Sequence, residues 1–129
     1  MTIKLQEQSQ LSSVSLLTEI QMQAECFKWA WNEHPETRRL LFHVPNGGQR
    51  NKIEAGQLKA SGVVAGIPDM IFVWKGKVYA FEFKAEKGRV SETQKAVHDA
   101  WRHAGVLVWV VWSVDIFKSL FKEIVEGKL

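Results

Sequence analysis

The sequence has almost no cysteine and no hydrophobic run long enough to cross a membrane. Cys26 is the single cysteine in 129 residues, which excludes an internal disulfide framework and a cysteine-rich zinc site. The longest apolar run, from Val106 to Trp112, is far shorter than a membrane span. We therefore expect a soluble protein of a reducing compartment, in which Cys26 is a buried packing residue.

Strong charge and metal-binding histidine pairs are absent as well. Lys and Arg exceed Asp and Glu by 17 to 14, a net charge of +3, which permits a polyanionic partner without requiring one. The histidines His34, His43, His98 and His103 contain no i, i+4 pair, so we assign no zinc site. The N-terminal stretch MTIKLQEQSQLSSVS lacks an apolar core and a small-residue cleavage site, which predicts no secretory signal.

The chain is interpreted as a loose arm followed by one domain. Residues 1–14 are rich in Gln and Ser and weakly patterned, whereas residues 15–129 contain no repeat or linker. Thr18 with Gln21 resembles a capping box that starts the first helix, and Pro35 ends it. The apolar face of this helix is predicted to contain Ile20, Cys26, Phe27, Ala30 and Trp31.

Turn residues separate the remaining strands and helices. The predicted order is a strand at Leu40–Val44, a short helix at 51–60, strands at Pro68–Trp74 and Val78–Lys84 joined by a turn at 75–77, a helix at about 92–103, a strand at Val106–Trp112 and a helix capped by Asp115. The last strand is apolar on both faces, which predicts a central strand. The fold class is therefore α/β, with a mixed β-sheet flanked by helices.

Charged residues in the predicted hairpin indicate a metal site. Glu82 and Lys84 are two positions apart on one strand, so they face the same side about 6.5 Å apart, and Asp69 lies near the start of the neighbouring strand. Two carboxylates, with the main-chain carbonyl of Phe83, provide the hard oxygen ligands that Mg²⁺ prefers. The lysine can hold or deprotonate a water and stabilise charge on a reacting phosphate. The alternative is a solvated ion pair on an exposed strand.

Five motifs occur in one order along the chain. They are Glu19 with Gln23, Asn46-Gly47-Gly48, the segment from Gly62 through Gly66 to Asp69, Glu82-Phe83-Lys84, and Gln94. Together they resemble the VRR-NUC (virus-type replication-repair nuclease) family of the PD-(D/E)XK nuclease superfamily. The resemblance extends from about residue 19 to residue 113 and implies a restriction-endonuclease-like core.

The resemblance implies roles for four residues of the hairpin region. Asp69 and Glu82 would bind Mg²⁺ or Mn²⁺ together with the Phe83 main-chain carbonyl, and Lys84 would assist the attacking water.

Two helical residues would complete this catalytic set. Glu19 would reach the metal directly or through water; Glu25 is the alternative on the same helix, although the spacing of Glu19 to Gln23 favours Glu19. Gln94 would orient the site, cap its helix with Ser91, or do both.

Phosphate contacts are predicted in one loop and at nearby cations. Asn46, Gly47 and Gly48, with Arg50, either present backbone N–H groups and a guanidinium to a phosphate or form a plain tight turn. Five cations flank the proposed site in the sequence and either track a nucleic-acid backbone or are solvated surface charges: Lys52, Lys59, Lys87, Arg89 and Lys95.

The function that the resemblance implies is a metal-dependent DNA endonuclease. Its substrate would be branched DNA such as a four-way junction, cut by a homodimer because two cuts need two sites, with no membrane partner and no small-molecule cofactor. Small stand-alone members resemble phage or prophage proteins, which implies the cytoplasm of a bacterial host. The alternatives are a non-catalytic nucleic-acid-binding module, which would have no use for two carboxylates that repel without a metal, and a sequence-reading restriction enzyme.

Overall fold

The computed structural model describes residues 17–45 and 51–129. These residues form helices α1 (Glu19–Glu33), α2 (Lys52–Ala60), α3 (Glu92–His103) and α4 (Val114–Val125), a 3₁₀ helix (Pro35–Thr37), and strands β1 (Leu41–His43), β2 (Met70–Trp74), β3 (Lys77–Phe83) and β4 (Leu107–Val111). Their order along the chain confirms the predicted α/β fold. The predicted arm at residues 1–14 and the predicted phosphate-binding residues Asn46, Gly47, Gly48 and Arg50 lie outside the described residues.

The four described strands form one mixed sheet in the order β1-β2-β3-β4. The β1–β2 and β2–β3 pairs are antiparallel, whereas β3 and β4 are joined through α3, the crossover connection that a parallel pair requires. In this sheet β4 lies at an edge, so the prediction of a central strand is wrong. Apolar residues on both faces of a strand show that both faces are covered, and they do not show how many strands flank it.

A two-residue turn joins β2 to β3. Lys75 and Gly76 have positive φ angles of 49° and 79°, as a type I′ turn requires, and Trp74 pairs with Lys77 across them. Lys77 therefore begins β3. The prediction that Lys77 belongs to the turn is wrong. Because such a turn matches the twist of the flanking strands, it fixes their register.

The chain divides into two compact units. The helical unit contains the residues up to Arg39, Phe83–Arg89 and Val110–Leu129. Its core forms where α1 packs against α4, and the indole of Trp29 meets the rings of Phe117 and Phe121 edge-on at centroid distances of 6.3 and 5.9 Å.

Helix α1 buries a different face from the predicted one. Met22, Cys26 and Ala30 are its buried residues, spaced by four as an inward stripe requires. The burial of Cys26 is confirmed, but Ile20 is 74 % and Trp31 42 % exposed. The predicted face is wrong at these two positions, because the buried stripe runs through Met22, Cys26 and Ala30 and both residues lie off it.

Helix α4 begins one residue after Ser113, whose hydroxyl accepts a hydrogen bond from the N–H of Ile116 at 3.1 Å. The prediction that Asp115 caps this helix is wrong, because Asp115 lies inside the first turn, where its charge favours the positive end of the helix dipole. The buried residues of the helix are Phe117, Phe121 and Ile124.

The sheet unit contains Leu40–Glu82 and Val90–Trp109. Its core includes aromatic side chains of β3 and β4, since Trp109 stacks on Tyr79 and on Phe81 with ring centroids 6.0 Å apart in both pairs. Gly66 lies against the start of α3, where an added Cβ would be 2.9 Å from the carbonyl oxygen of Thr93. Within the described part of the chain, no helix has the length and hydropathy needed to cross a bilayer.

Candidate active site

The buried polar side chains of the described residues lie mostly around the Glu-x-Lys segment. They are Thr37, Glu82, Lys84 and His98. Glu82 is 1 % and Lys84 7 % exposed, so the interpretation of these residues as a solvated surface ion pair is wrong. Taking such charges out of water is costly unless they are paired, which indicates that both have partners or a function.

Glu82 meets a histidine that sequence reasoning missed. The Nε2 atom of His98, in α3, lies 3.3 Å from Oε1 of Glu82, and His98 is itself 1 % exposed. Beside an ionised Glu82, which only accepts hydrogen bonds, Nε2 carries the hydrogen and donates it. The one signal in the sequence is that His98 follows Gln94 by four residues and so shares its side of the helix.

The hairpin register places the two predicted metal-binding carboxylates opposite each other. Strand pairing runs to Met70 and Phe81, and one further step in the same register would set Asp69 opposite Glu82. Residues directly opposite in an antiparallel pair have Cβ atoms about 4.5–5.5 Å apart, and like charges there repel. A cation between them would offset that repulsion.

The main chain at Asp69 is anchored by β1. Its carbonyl oxygen accepts hydrogen bonds from the N–H of Val44 at 2.9 Å and from Nδ1 of His43 at 2.7 Å. These contacts hold the peptide at the start of β2, so the position of the Asp69 backbone is defined although its side chain is only half-buried.

Lys84 directly follows the last residue of β3. Its N–H donates to the carbonyl oxygen of Val111 at 3.0 Å, which holds the main chain at the end of the strand. The Lys84 side chain belongs to the helical unit and is buried there.

The Glu19 carboxylate lies beside the segment that follows Lys84. Its Oε1 atom is 3.4 Å from the N–H of Ala85, and a Cβ added to Gly88 would be 2.7 Å from the same oxygen. Gly88 therefore leaves room for this carboxylate, a role that the sequence did not indicate. Glu25, the alternative on the same helix, is exposed; the choice of Glu19 stays a prediction.

Gln94 makes the predicted helix cap. Its Oε1 accepts from the N–H of Ser91 at 2.9 Å, and its own N–H donates to Oγ of Ser91 at 3.1 Å. Capping is therefore confirmed, and a role in orienting the site stays a prediction. Among the predicted DNA-contacting cations, Lys52, Lys87 and Arg89 are all exposed.

The chemistry of the ligand set suits a hard divalent cation. Asp69, Glu82 and the Phe83 carbonyl offer oxygen atoms only, and Mg²⁺ is commonly held by one or two carboxylates with water completing its shell. Between residues 17 and 45 and from 51 onward, no three His, Cys, Asp or Glu side chains group closely enough to hold a metal ion. The predicted site, with two carboxylates, a main-chain oxygen and water as its ligands, therefore stays a prediction.

Comparison with known proteins agrees with the observed fold. A family model described as VRR-NUC domain matches residues 7–115. A solved structure described as a VRR_NUC domain protein has a TM-score of 0.66 and 20 % sequence identity, over 85 % of this chain and 89 % of its own. No curated protein sequence matches the chain. The fold is thus of the nuclease type, and the chain belongs to the VRR-NUC domain family.

Proposed function

We propose that the chain is a Mg²⁺- or Mn²⁺-dependent DNA endonuclease that hydrolyses phosphodiester bonds. The observation that carries this proposal is the near-complete burial of Glu82 and Lys84, two residues apart. The hairpin register, extended by one step, adds Asp69 opposite Glu82. Two opposed carboxylates and a buried lysine are costly to maintain in a domain that only binds DNA.

Asp69, Glu82 and the Phe83 carbonyl are the proposed ligands of the divalent cation, and Glu19 would reach it directly or through water. When bound, such a cation lowers the pKa of a coordinated water and offsets charge on the reacting phosphate. The protein's part is to hold the carboxylates in place, and the anchored main chain at Asp69 and the buried position of Glu82 serve that purpose.

Lys84 is proposed to act on the water. Its side chain would hold the attacking water or help to deprotonate it. The water oxygen bonds to phosphorus while the bond to the leaving oxygen breaks, and that oxygen keeps the electron pair and takes up a proton from solvent. The N–H groups of Lys84 also stabilise the additional negative charge that develops on the phosphate oxygens, an effect worth about 10²–10³-fold in rate when a single such donor is removed.

The proposed substrate is branched DNA such as a four-way junction, and the proposed active form is a homodimer. The proposed location is the cytoplasm of a bacterial host, with the gene carried by a phage or prophage. Family resemblance supports this substrate, and symmetric cutting of two strands requires two sites. The exposed cations Lys52, Lys87 and Arg89, with Asn46, Gly47, Gly48 and Arg50, are proposed to contact phosphates, which predicts binding that weakens steeply with salt.

The test uses purified protein with labelled four-way junction, flap, single-stranded and linear duplex DNA, in Mg²⁺, Mn²⁺ or EDTA. Glu82→Gln and Lys84→Met each remove the charged group with little change in side-chain volume. Glu123→Gln and Lys122→Met are the matched controls at exposed positions of α4. We expect metal-dependent cutting that falls at least about 100-fold in the first pair only. Light scattering of the free and DNA-bound protein measures the predicted dimer.

A second pair of variants tests the choice between two glutamates of α1. Glu19→Gln should reduce cutting, whereas Glu25→Gln should not. DNA binding without any metal-dependent cutting would overturn the nuclease and select the non-catalytic binding module. Cutting that survives in Glu82→Gln would reveal a contaminating enzyme.

A further inference from the structure

The inward side of α3 carries a polar residue at its centre. Gln94, Val97, His98 and Trp101 are less exposed than their helical neighbours, and their i, i+3, i+4, i+7 spacing defines a single face. His98 is the one fully buried residue of the helix. A helix that served only to cover a sheet would place an apolar side chain at this position.

The partner of His98 explains why an imidazole lies there. Its Nε2–H points to Oε1 of Glu82 at 3.3 Å, and both side chains are 98 % buried. Rotation of a buried carboxylate away from this donor would cost hydrogen-bond energy that water cannot replace. A carboxylate has about four lone-pair positions, so an N–H donor and a cation can share it.

We propose that His98 is a positioning residue, which holds the Glu82 carboxylate in the orientation that binds the divalent cation. The inference rests on the proposed nuclease function, because it assigns His98 to that site. Carboxylates that bind metals are themselves commonly held by a hydrogen bond, and loss of such a partner typically weakens metal affinity or activity 10–100-fold.

The experiment measures Mn²⁺ affinity of the full chain without DNA, from the electron paramagnetic resonance signal of free Mn²⁺, and then the Mn²⁺ concentration that gives half-maximal cutting. The variants are His98→Leu, which removes the donor, and His98→Gln, which places an amide N–H near the position of Nε2. His103→Leu is the matched control, since His103 lies on the same helix and is exposed. Glu82→Gln defines the background.

We expect His98→Leu to weaken Mn²⁺ binding 10–100-fold and to raise the Mn²⁺ needed for half-maximal cutting by a similar factor. His98→Gln should restore affinity to within about threefold, and His103→Leu should match the wild type. If His98→Leu does not fold, as judged by circular dichroism, His98→Asn replaces it, because its shorter amide does not reach Glu82.

Equal Mn²⁺ affinity in His98→Leu and the wild type would overturn the inference, as would a His98→Gln variant no better than His98→Leu. Failure of the nuclease proposal gives a different result. Mn²⁺ binding that depends on Glu82 without any DNA cutting would refute the nuclease, and the affinity series alone would then decide the role of His98. A wild type with no Glu82-dependent Mn²⁺ binding would refute both.

Discussion

Helices α3 and α4 have the same length and the same kind of start, yet they bury different residues. Each has 12 residues and a serine N-cap, Ser91 in α3 and Ser113 in α4. Helix α4 buries Phe117, Phe121 and Ile124, whereas α3 buries only His98. Capping and periodicity decide that a helix forms; the chemistry of its inward face decides whether it stabilises the fold or supports a site.

The largest effect is expected from the apolar face of α4. Phe121→Ala should lower the free energy of unfolding by about 3–5 kcal/mol, because it leaves a cavity among packed aromatic rings. Urea unfolding followed by circular dichroism measures the change, and Lys122→Ala, at an exposed neighbouring position, is the control. A loss below about 1 kcal/mol would show that α4 does not anchor the helical unit.

Gly66, which lies against the start of α3, should be the next most sensitive position. Gly66 has a φ of +88°, and an added Cβ would lie 2.9 Å from the Thr93 carbonyl oxygen, so Gly66→Ala combines backbone strain with a clash and should cost about 1–3 kcal/mol. Gly56, inside α2, has no atom within 4 Å of an added Cβ, so Gly56→Ala should stabilise by up to about 1 kcal/mol. Thermal unfolding should therefore show a lower melting temperature for Gly66→Ala and a higher one for Gly56→Ala than for the wild type.

Removal of the two serine caps compares the helices directly. Ser91→Ala and Ser113→Ala should each cost about 1 kcal/mol of stability. Only Ser91→Ala should also lower DNA cutting, because the main-chain N–H of Gln94 then loses its bond to Oγ of Ser91, which loosens the start of the helix that holds Gln94. Equal effects on cutting would refute the separate role of α3.

The effect that is smallest near neutral pH is a pH dependence in α1, which packs on α4. Burial raises the pKa of the Cys26 thiol to about 12 from 9.0, with a smaller contribution from the charge of Glu25. The folded state therefore keeps this proton while the unfolded state loses it, so stability from this group is complete below pH 9 and declines as pH rises toward 12. The free energy of unfolding of Cys26→Ala should decline less than that of the wild type as pH rises from 9 toward 12. A pH profile parallel to that of the wild type would contradict this prediction.

Local rules predicted much of the fold from the sequence. The capping boxes Thr18–Gln21 and Ser91–Gln94 start helices where expected, because each depends on residues only three positions apart. The edge position of β4 and the exposure of Ile20 depend on which other elements cover them. The spacing of apolar residues predicts that an element has an apolar face. It does not predict which side of the element the rest of the fold covers.

The candidate site shows the same division. Strand geometry predicts that Glu82 and Lys84 face the same side, and the hairpin register, extended by one step, sets Asp69 opposite Glu82. The contact between His98 and Glu82 joins residues 16 positions apart in different elements, and nothing in the local sequence distinguishes a histidine that faces a carboxylate from one in solvent, such as His103.

The tight turn at Lys75 and Gly76 has an effect at the far end of the hairpin. Since the number of residues in this turn determines which positions face one another, insertion of a single residue there would shift β2 by one place and turn the side chain of Asp69 to the opposite surface of the sheet. Catalytic capacity would then be lost through a change in chain length, with every proposed ligand still present in the sequence.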